Sequence, residues 1–291
     1  MRLRPVLPVL VIAALSGAIL GAQAQFTLLA SFVDPASGNP PETLTAADMS
    51  VTEDDVEAKV VKVEPVLRSV RIEVLIDNGL GIGRNIAELR TGVRRLIEAL
   101  PQDTETTIVV TSPQPRSLVR ATKSREELLK GVDRLAPDSG TGRFTESLAE
   151  AVERANKAKD AFTAIIAAGT TSGDARVGDS DAQRVLGQIG GRPMIVYVLL
   201  YAGEQSASGG TMQVEVGQRA AQMTEGRYEF INSISRYTTL LPELGADAAK
   251  RLGGSTRQFR ITVQRPDGKE GDLGKISVSS TTKKLTGLWR E

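Results

Sequence analysis

The sequence predicts an α/β protein: a doubly wound, mostly parallel sheet with helices on both faces, accompanied by a small β sheet or sandwich built from the two flanks of the chain. Three observations carry this. Between residues 68 and 252, short β-branched runs alternate with stretches of helical spacing, the pattern of strands laid side by side with helices between them. On either side of that stretch the apolar period changes to two, as in half-buried strands. The two flanks also carry opposite charge. Residues 25–67 hold eight acids against two bases, and residues 251–291 hold nine bases against four acids, so the flanks are expected to pair, with opposite charges on adjacent strands helping to set register. The alternative is a basic tail that binds an acidic polymer by itself.

The elements follow in order. Met1-Arg2-Leu3-Arg4, an apolar run over 6–20 and Ala22-Gln23-Ala24 form a secretory signal with cleavage expected after Ala24; the other reading is an uncleaved membrane anchor. Phe26, Leu28, Ala30 and Phe32 alternate as one face of a strand, and the segment 34–41, rich in Pro, Gly and Asn, turns the chain. An apolar run over 56–66 follows the acidic stretch Glu53-Asp54-Asp55. A strand over 70–76 precedes a helix marked by Ile86, Leu89, Val93, Leu96, Ile97 and Leu100 and stopped by Pro101. Strands are expected over 106–111, 118–120, 162–168, 194–201 and 227–231, and helices around Leu128, over 144–155, 182–189, 214–223 and 238–252. Phe259, Ile261 and Val263, then Ile276 and Val278, then Leu288-Trp289, return to the period of two.

Composition bounds the function. The 291 residues are 41% apolar and 24% charged, enough for a sizeable core. With no histidine and no cysteine, zinc hydrolases, thiol nucleophiles and histidine-based triads are excluded. Export without cysteines points to a periplasmic or secreted protein held together by packing. Removing Arg2 and Arg4 with the signal leaves a near-neutral chain with no global field for nucleic acid.

The most informative motif is the junction Val74-Leu75-Ile76-Asp77-Asn78-Gly79-Leu80-Gly81, a carboxylate at the end of a buried strand. Together with Leu44-Thr45-Ala46-Ala47-Asp48-Met49 and the Glu53-Asp54-Asp55 hairpin ahead of it, the junction resembles the von Willebrand factor A (vWA) fold, in particular bacterial secreted VWFA-related domain proteins, over most of the chain from Phe26 onward. The resemblance implies a vWA/Rossmann-like sheet whose carboxyl edge carries a metal-ion-dependent adhesion site. In that site the first loop resembles Asp-x-Ser-x-Ser, and here Asp77 is kept while Gly79 and Gly81 replace the two hydroxyls. The second resembles Gly-Gly-Thr-x-Leu, and Thr141-Gly142-Arg143-Phe144 puts Gly142 at the threonine. The third resembles Thr-Asp-Gly, and Gly169 and Thr170 stand at Thr-Asp. Asp55 standing where the family has glycine implies a less regular hairpin turn.

One carboxylate does not hold Mg2+ against water, because this ion sheds its hydration shell reluctantly. Asp77 is therefore expected to accept backbone hydrogen bonds and cap its loop, with no cofactor bound. A rescued metal site would have to recruit Thr141, Thr170, Asp174 or Asp179. Gly79-Leu80-Gly81-Ile82-Gly83 imitates a dinucleotide fingerprint, but Arg84 stands at the last glycine. The expected layout is a signal over 1–24, an N-terminal β segment over 25–67, a vWA-like domain over 68–252 and a C-terminal β segment over 253–291. The expected function is a noncatalytic, metal-independent protein-interaction module that docks an unidentified protein through Asp77, Asn78, Leu80, Arg143, Gly169 and Thr170. Nucleic acid and small-molecule substrates are not expected, and a membrane only if the signal is kept. The alternatives are a divalent-metal-dependent adhesin with shifted ligands, and a structural envelope subunit docking through its terminal strands.

Overall fold

Alternating β-branched and aliphatic residues build twelve strands, and six amphipathic stretches build helices, in a computed structural model that describes residues 24–158, 160–172, 178–190, 192–202, 211–269 and 271–290. The expected signal, apart from Ala24, lies outside these residues, as do Asp174 and the polar segment 203–210. Among the described residues no helix is long and apolar enough to cross a membrane.

The flanks form one antiparallel sheet. Its strands are β1 (Gln25–Val33), β2 (Met49–Glu53), β3 (Val56–Leu67), β10 (Arg257–Gln264), β11 (Ile276–Ser280) and β12 (Lys284–Arg290), in the order β11-β2-β3-β10-β1-β12. Every strand gives residues to a single cluster, with Leu28, Phe32, Val51, Phe259, Ile261 and Val263 at its centre, so the sheet curls around its own core. The opposite charges of the flanks meet as expected, mostly at the ends of strands. Glu53 and Arg265 pair at 2.5 Å with both side chains buried, Asp54 pairs with Lys269 at 2.7 Å, and Asp34 pairs with Lys283 at 2.8 Å. Within the ladder itself Arg260 sits opposite Glu64. With these bases engaged by the protein's own acids, the tail is a set of sheet strands and not a free basic arm.

The β2–β3 turn corrects one expectation. Asp54 and Asp55 both adopt positive φ, 50° and 64°, as a two-residue primed hairpin turn requires. Aspartate is among the few non-glycine residues that visit the left-handed region, so it can stand at both turn positions, and the Asp54 carboxylate is further held by Lys269 Nζ at 2.7 Å and by the Lys275 N–H at 2.7 Å. The turn is regular.

The second sheet contains β4 (Ser69–Ile76), β5 (Glu105–Val110), β6 (Arg116–Thr122), β7 (Ala161–Thr170), β8 (Met194–Tyr201) and β9 (Tyr228–Ile231), ordered β6-β5-β4-β7-β8-β9. All its pairs are parallel except β5 with the edge strand β6. Helices α1 (Ile86–Ala99), α2 (Arg125–Asp133) and α6 (Tyr237–Ser255) cover one face, where Ile72, Val74, Ile76 and Tyr197 meet Leu89, Val93, Leu128, Leu241 and Leu244. Helices α3 (Phe144–Lys157), α4 (Asp179–Ile189) and α5 (Thr211–Met223) cover the other, where Ile165, Val196 and Val198 meet Leu148, Val185 and Val216. The chain runs from β4 outward through β5 and β6, then crosses back to β7, β8 and β9. The carboxyl ends of β4 and β7 therefore form the switch point at which sheets of this kind place their sites.

The two sheets are joined tightly. Between β3 and β4 lies only Arg68, and between α6 and β10 only Thr256; the Arg68 N–H donates to the Thr256 carbonyl at 3.0 Å. Trp289 of β12 meets Phe162 of β7 edge-on, with ring centroids 5.2 Å apart. Because Trp289 is the chain's single tryptophan, its emission reports on this joint. Arg265→Met leaves a charged Glu53 buried without its partner, whereas Lys269→Met leaves Asp54 at the surface and still bonded to Lys275. Arg265→Met should therefore lower the melting temperature clearly more than Lys269→Met. Equal losses in a thermal scan followed by Trp289 emission would show that the buried pair is no special support of the sheet.

Candidate functional site

Asp77 directly follows β4, its N–H continuing the ladder to the Ala168 carbonyl of β7 at 2.8 Å. This places the side chain at the switch point, where it is only 2% exposed. Both carboxyl oxygens are spent inside the protein. Oδ2 accepts from Thr170 Oγ1 at 2.6 Å and from the Thr170 N–H at 3.2 Å; Oδ1 accepts from the Gly79 N–H at 2.8 Å and from Ser112 Oγ at 3.4 Å. Burial pushes the Asp77 carboxyl above its ordinary value, and the hydrogen bonds from Thr170, Gly79 and Ser112 pull in the opposite direction. Across β7, the buried Tyr237 hydroxyl of α6 donates to the Gly169 carbonyl at 2.5 Å. Burial, then the nearby charge of Asp77, raises Tyr237 well above its ordinary value and keeps it a donor.

Three glycines set the shape of the cradle. A Cβ on Gly142 would lie 2.4 Å from the Asp77 carboxyl carbon, one on Gly79 would lie 2.2 Å from Ser112 Oγ, and one on Gly81 would lie 2.5 Å from Thr170 Oγ1. The loops have closed into the space that side chains at these positions would need. A hard cation asks for several oxygen ligands in near-octahedral array. Asp77 offers it one carboxylate whose oxygens already have partners, and among the described residues no three acidic, histidine or cysteine side chains come together. Of the rescue set, Thr170 is committed to Asp77, Thr141 and Asp179 are exposed, and Asp174 lies outside the described residues.

No protein-family model matches the chain, and no curated protein matches it in sequence. Solved structures do match. A von Willebrand factor type A protein from Catenulispora acidiphila superimposes with a TM-score of 0.53 at 13% identity, over 93% of this chain and 74% of that one. The fold is that of a vWA domain. BatB from Bacteroides thetaiotaomicron (TM-score 0.44, 15% identity) and the SpRpn10 VWA domain (TM-score 0.46, 13% identity) each match 62% of this chain, over 100% and 98% of their own lengths.

At the carboxyl edge of this vWA-type sheet, the six expected docking residues separate into two kinds. Leu80 is 45% exposed and Arg143 is exposed, its Nε donating to the Pro113 carbonyl at 3.1 Å. Asp77, Gly169 and Thr170 are buried, and so is Asn78, whose Nδ2 donates to the Ala136 carbonyl at 2.9 Å. These four cannot touch a partner directly; they hold the loops that present Leu80 and Arg143. Two groups at or beside the cradle leave little trace in the sequence. Ser112 carries one visible signal, its place just beyond the expected strand over 106–111, whereas Tyr237 arrives from a helix 68 residues beyond the carbonyl it caps and leaves no local trace.

Gly142→Ala should cost about 1–3 kcal/mol of stability through overpacking, and much of that loss should disappear in an Asp77→Ala background where the obstructing carboxyl is gone. Additive losses in chemical denaturation would show that the two positions are not in contact. The pH dependence has a defined sign. The unfolded chain releases the Asp77 proton near 3.8 and the folded chain holds it to higher pH. The folded state thus binds more protons between the two values, and this contribution to stability, complete below 3.8, fades as pH rises through the folded pKa. The stability difference between wild type and Asp77→Ala should shrink over that window, and a difference that grows would reverse the assignment.

Proposed function

We propose that this chain is a noncatalytic, exported vWA-type protein-interaction module that docks its partner at the carboxyl edge of the sheet without a metal ion. The observation that supports it best is the Asp77 cradle, in which Thr170, Gly79 and Ser112 take the oxygens that a cation would need. With Gly79, Gly81 and Gly142 at the positions where the adhesion site carries hydroxyls, the loops come closer than a Cβ would allow, which supports a metal-free reading. The surface left for a partner includes Leu80, an exposed apolar side chain whose N–H is bonded to Gly140, and, three residues on from Gly140, the exposed Arg143, whose guanidinium has Glu146 at 3.6 Å. An apolar side chain and a cation on neighbouring loops make a workable protein contact. The basic, apolar and small-residue start of the chain supports export to the periplasm or beyond.

The deciding measurement is the melting temperature of the protein in EDTA and in millimolar Mg2+, Mn2+ or Ca2+. A ligand that binds only the folded state must stabilise it, by about 2.7 kcal/mol at a hundredfold excess over its Kd. No shift is expected with any of the three ions. A rise that vanishes in Asp77→Ala would replace this reading with a metal-dependent adhesin. Leu80→Ala with Arg143→Ala should then weaken capture of the native partner while leaving the melting temperature in place.

A further inference from the structure

Away from the carboxyl edge, a groove of about 520 Å3 runs between the edge strand β6 and helix α2. Leu118 and Val119 give it an apolar floor, and Arg120, Lys130, Arg134, Glu127 and Asp133 line its walls. Its charges do not balance. Asp133 is already paired with Arg94 and Lys130 with Glu126 at 2.6 Å, which leaves the Glu127 carboxylate, accepting from Thr122 Oγ1 at 2.7 Å, as a single negative charge set against the two arginines. Among the described residues Arg120 and Arg134 have no acid partner, and neither do Arg116 and Lys123 at the two ends of the strand. At the opposite edge of the same sheet, the Arg227 guanidinium beside β9 is paired with Glu229 and Glu243. The β6 edge thus carries an excess of positive charge.

We infer that the β6–α2 groove is a docking site for an extended, acidic segment of another protein. Charge complementarity selects the occupant. A second copy bringing the same edge would set Arg120 and Arg134 against their own kind, whereas a segment alternating carboxylates with apolar residues would pair with those guanidiniums and lay its apolar side chains on Leu118 and Val119. The floor selects an extended conformation, because among the described residues β6 is the last strand of its sheet and its outward backbone groups have no strand beside them. Two register shifts between β5 and β6 keep this edge from extending into a long regular ladder. Recognition therefore rests on the groove's side chains together with a few backbone bonds. The inference concerns a different face from Leu80 and Arg143 and stands independently of how the carboxyl edge is used.

The test is fluorescence anisotropy of a fluorescein-labelled peptide of alternating glutamate and valine, titrated with the full chain. Binding should weaken with added salt, and a lysine–valine peptide should not bind. The double variant Arg120→Glu/Arg134→Glu should lose about tenfold or more in affinity, since each substitution removes an attraction and adds a repulsion. Both side chains are exposed and Arg134 stands at the C-terminus of α2, so the reversal should lower the melting temperature only modestly and leave the protein folded. Arg184→Glu/Arg219→Glu, which reverses two exposed arginines on the opposite face of the sheet, should bind as wild type does. Absence of binding, equal loss in both double variants, or equally tight binding of a single-stranded oligonucleotide would overturn the proposal, the last by showing that the groove takes any polyanion.

Discussion

Two single-residue connections hold this architecture together. Arg68 separates the last residue of β3 from the first of β4, and Thr256 separates α6 from β10. Because the Arg68 N–H donates to the Thr256 carbonyl, and Arg257 stands opposite Leu67 in the ladder, the chain leaves the flanking sheet and returns to it at one point. Connections this short allow almost no relative rotation, so the orientation of one sheet dictates that of the other. It also explains why residues far apart in sequence can rely on one another: Trp289 of the flanking sheet can be packed against Phe162 of the parallel sheet only if the crossing has brought both sheets to a fixed orientation.

The same economy operates at the carboxyl edge. A buried carboxylate is costly unless its charge is met by a cation or by hydrogen bonds. In this protein hydrogen bonds, two from Thr170, one from Gly79 and one from Ser112, offset part of that cost, and burial still holds the carboxyl above its ordinary value. The glycines are a necessary part of this arrangement. Donors can reach Asp77 only if the surrounding loops come closer than a Cβ would allow, so Gly79, Gly81 and Gly142 are coupled to the hydrogen bonds they permit. Restoring a hydroxyl at one of these positions would not by itself rebuild an ion site. It would push the loops apart and leave Asp77 with fewer donors before any ligand shell was complete.

The order of elements was legible because periods of two and of 3.6 are local. Val70 to Ile76, Ile86 to Leu100 and Met194 to Tyr201 announce their structure within one window of sequence, and the opposite charges of the flanks announced their partnership. What escaped depends on partners distant in the chain. Asn78 reads as an exposed loop residue until the Ala136 carbonyl is placed against its amide, and the Asp54-Asp55 turn reads as irregular until Lys269 and Lys275 arrive to hold its left-handed backbone. The position of Asp77 was visible as a strand end. Its backbone donor and the nearness of Thr170 could be expected from the loop pattern; the Ser112 hydroxyl could not, since it reaches Asp77 from the loop beyond β5.

The loop between α2 and α3 ties these observations together. Ala136 accepts from Asn78, the Asp138 N–H donates to the Asn78 carbonyl at 2.7 Å, Gly140 accepts from the Leu80 N–H at 2.9 Å, and Gly142 lies against Asp77. Contact by contact, this loop is laid along the 77–80 loop and held in register with it. Its first residue is Arg134, which walls the β6–α2 groove, and its last is Arg143, which stands at the carboxyl edge. The groove and the edge are thus built from opposite ends of one immobilised segment. Were both surfaces used, this loop would hold them at a fixed separation, and a loop that opened to admit an ion would shift the residues that set that distance.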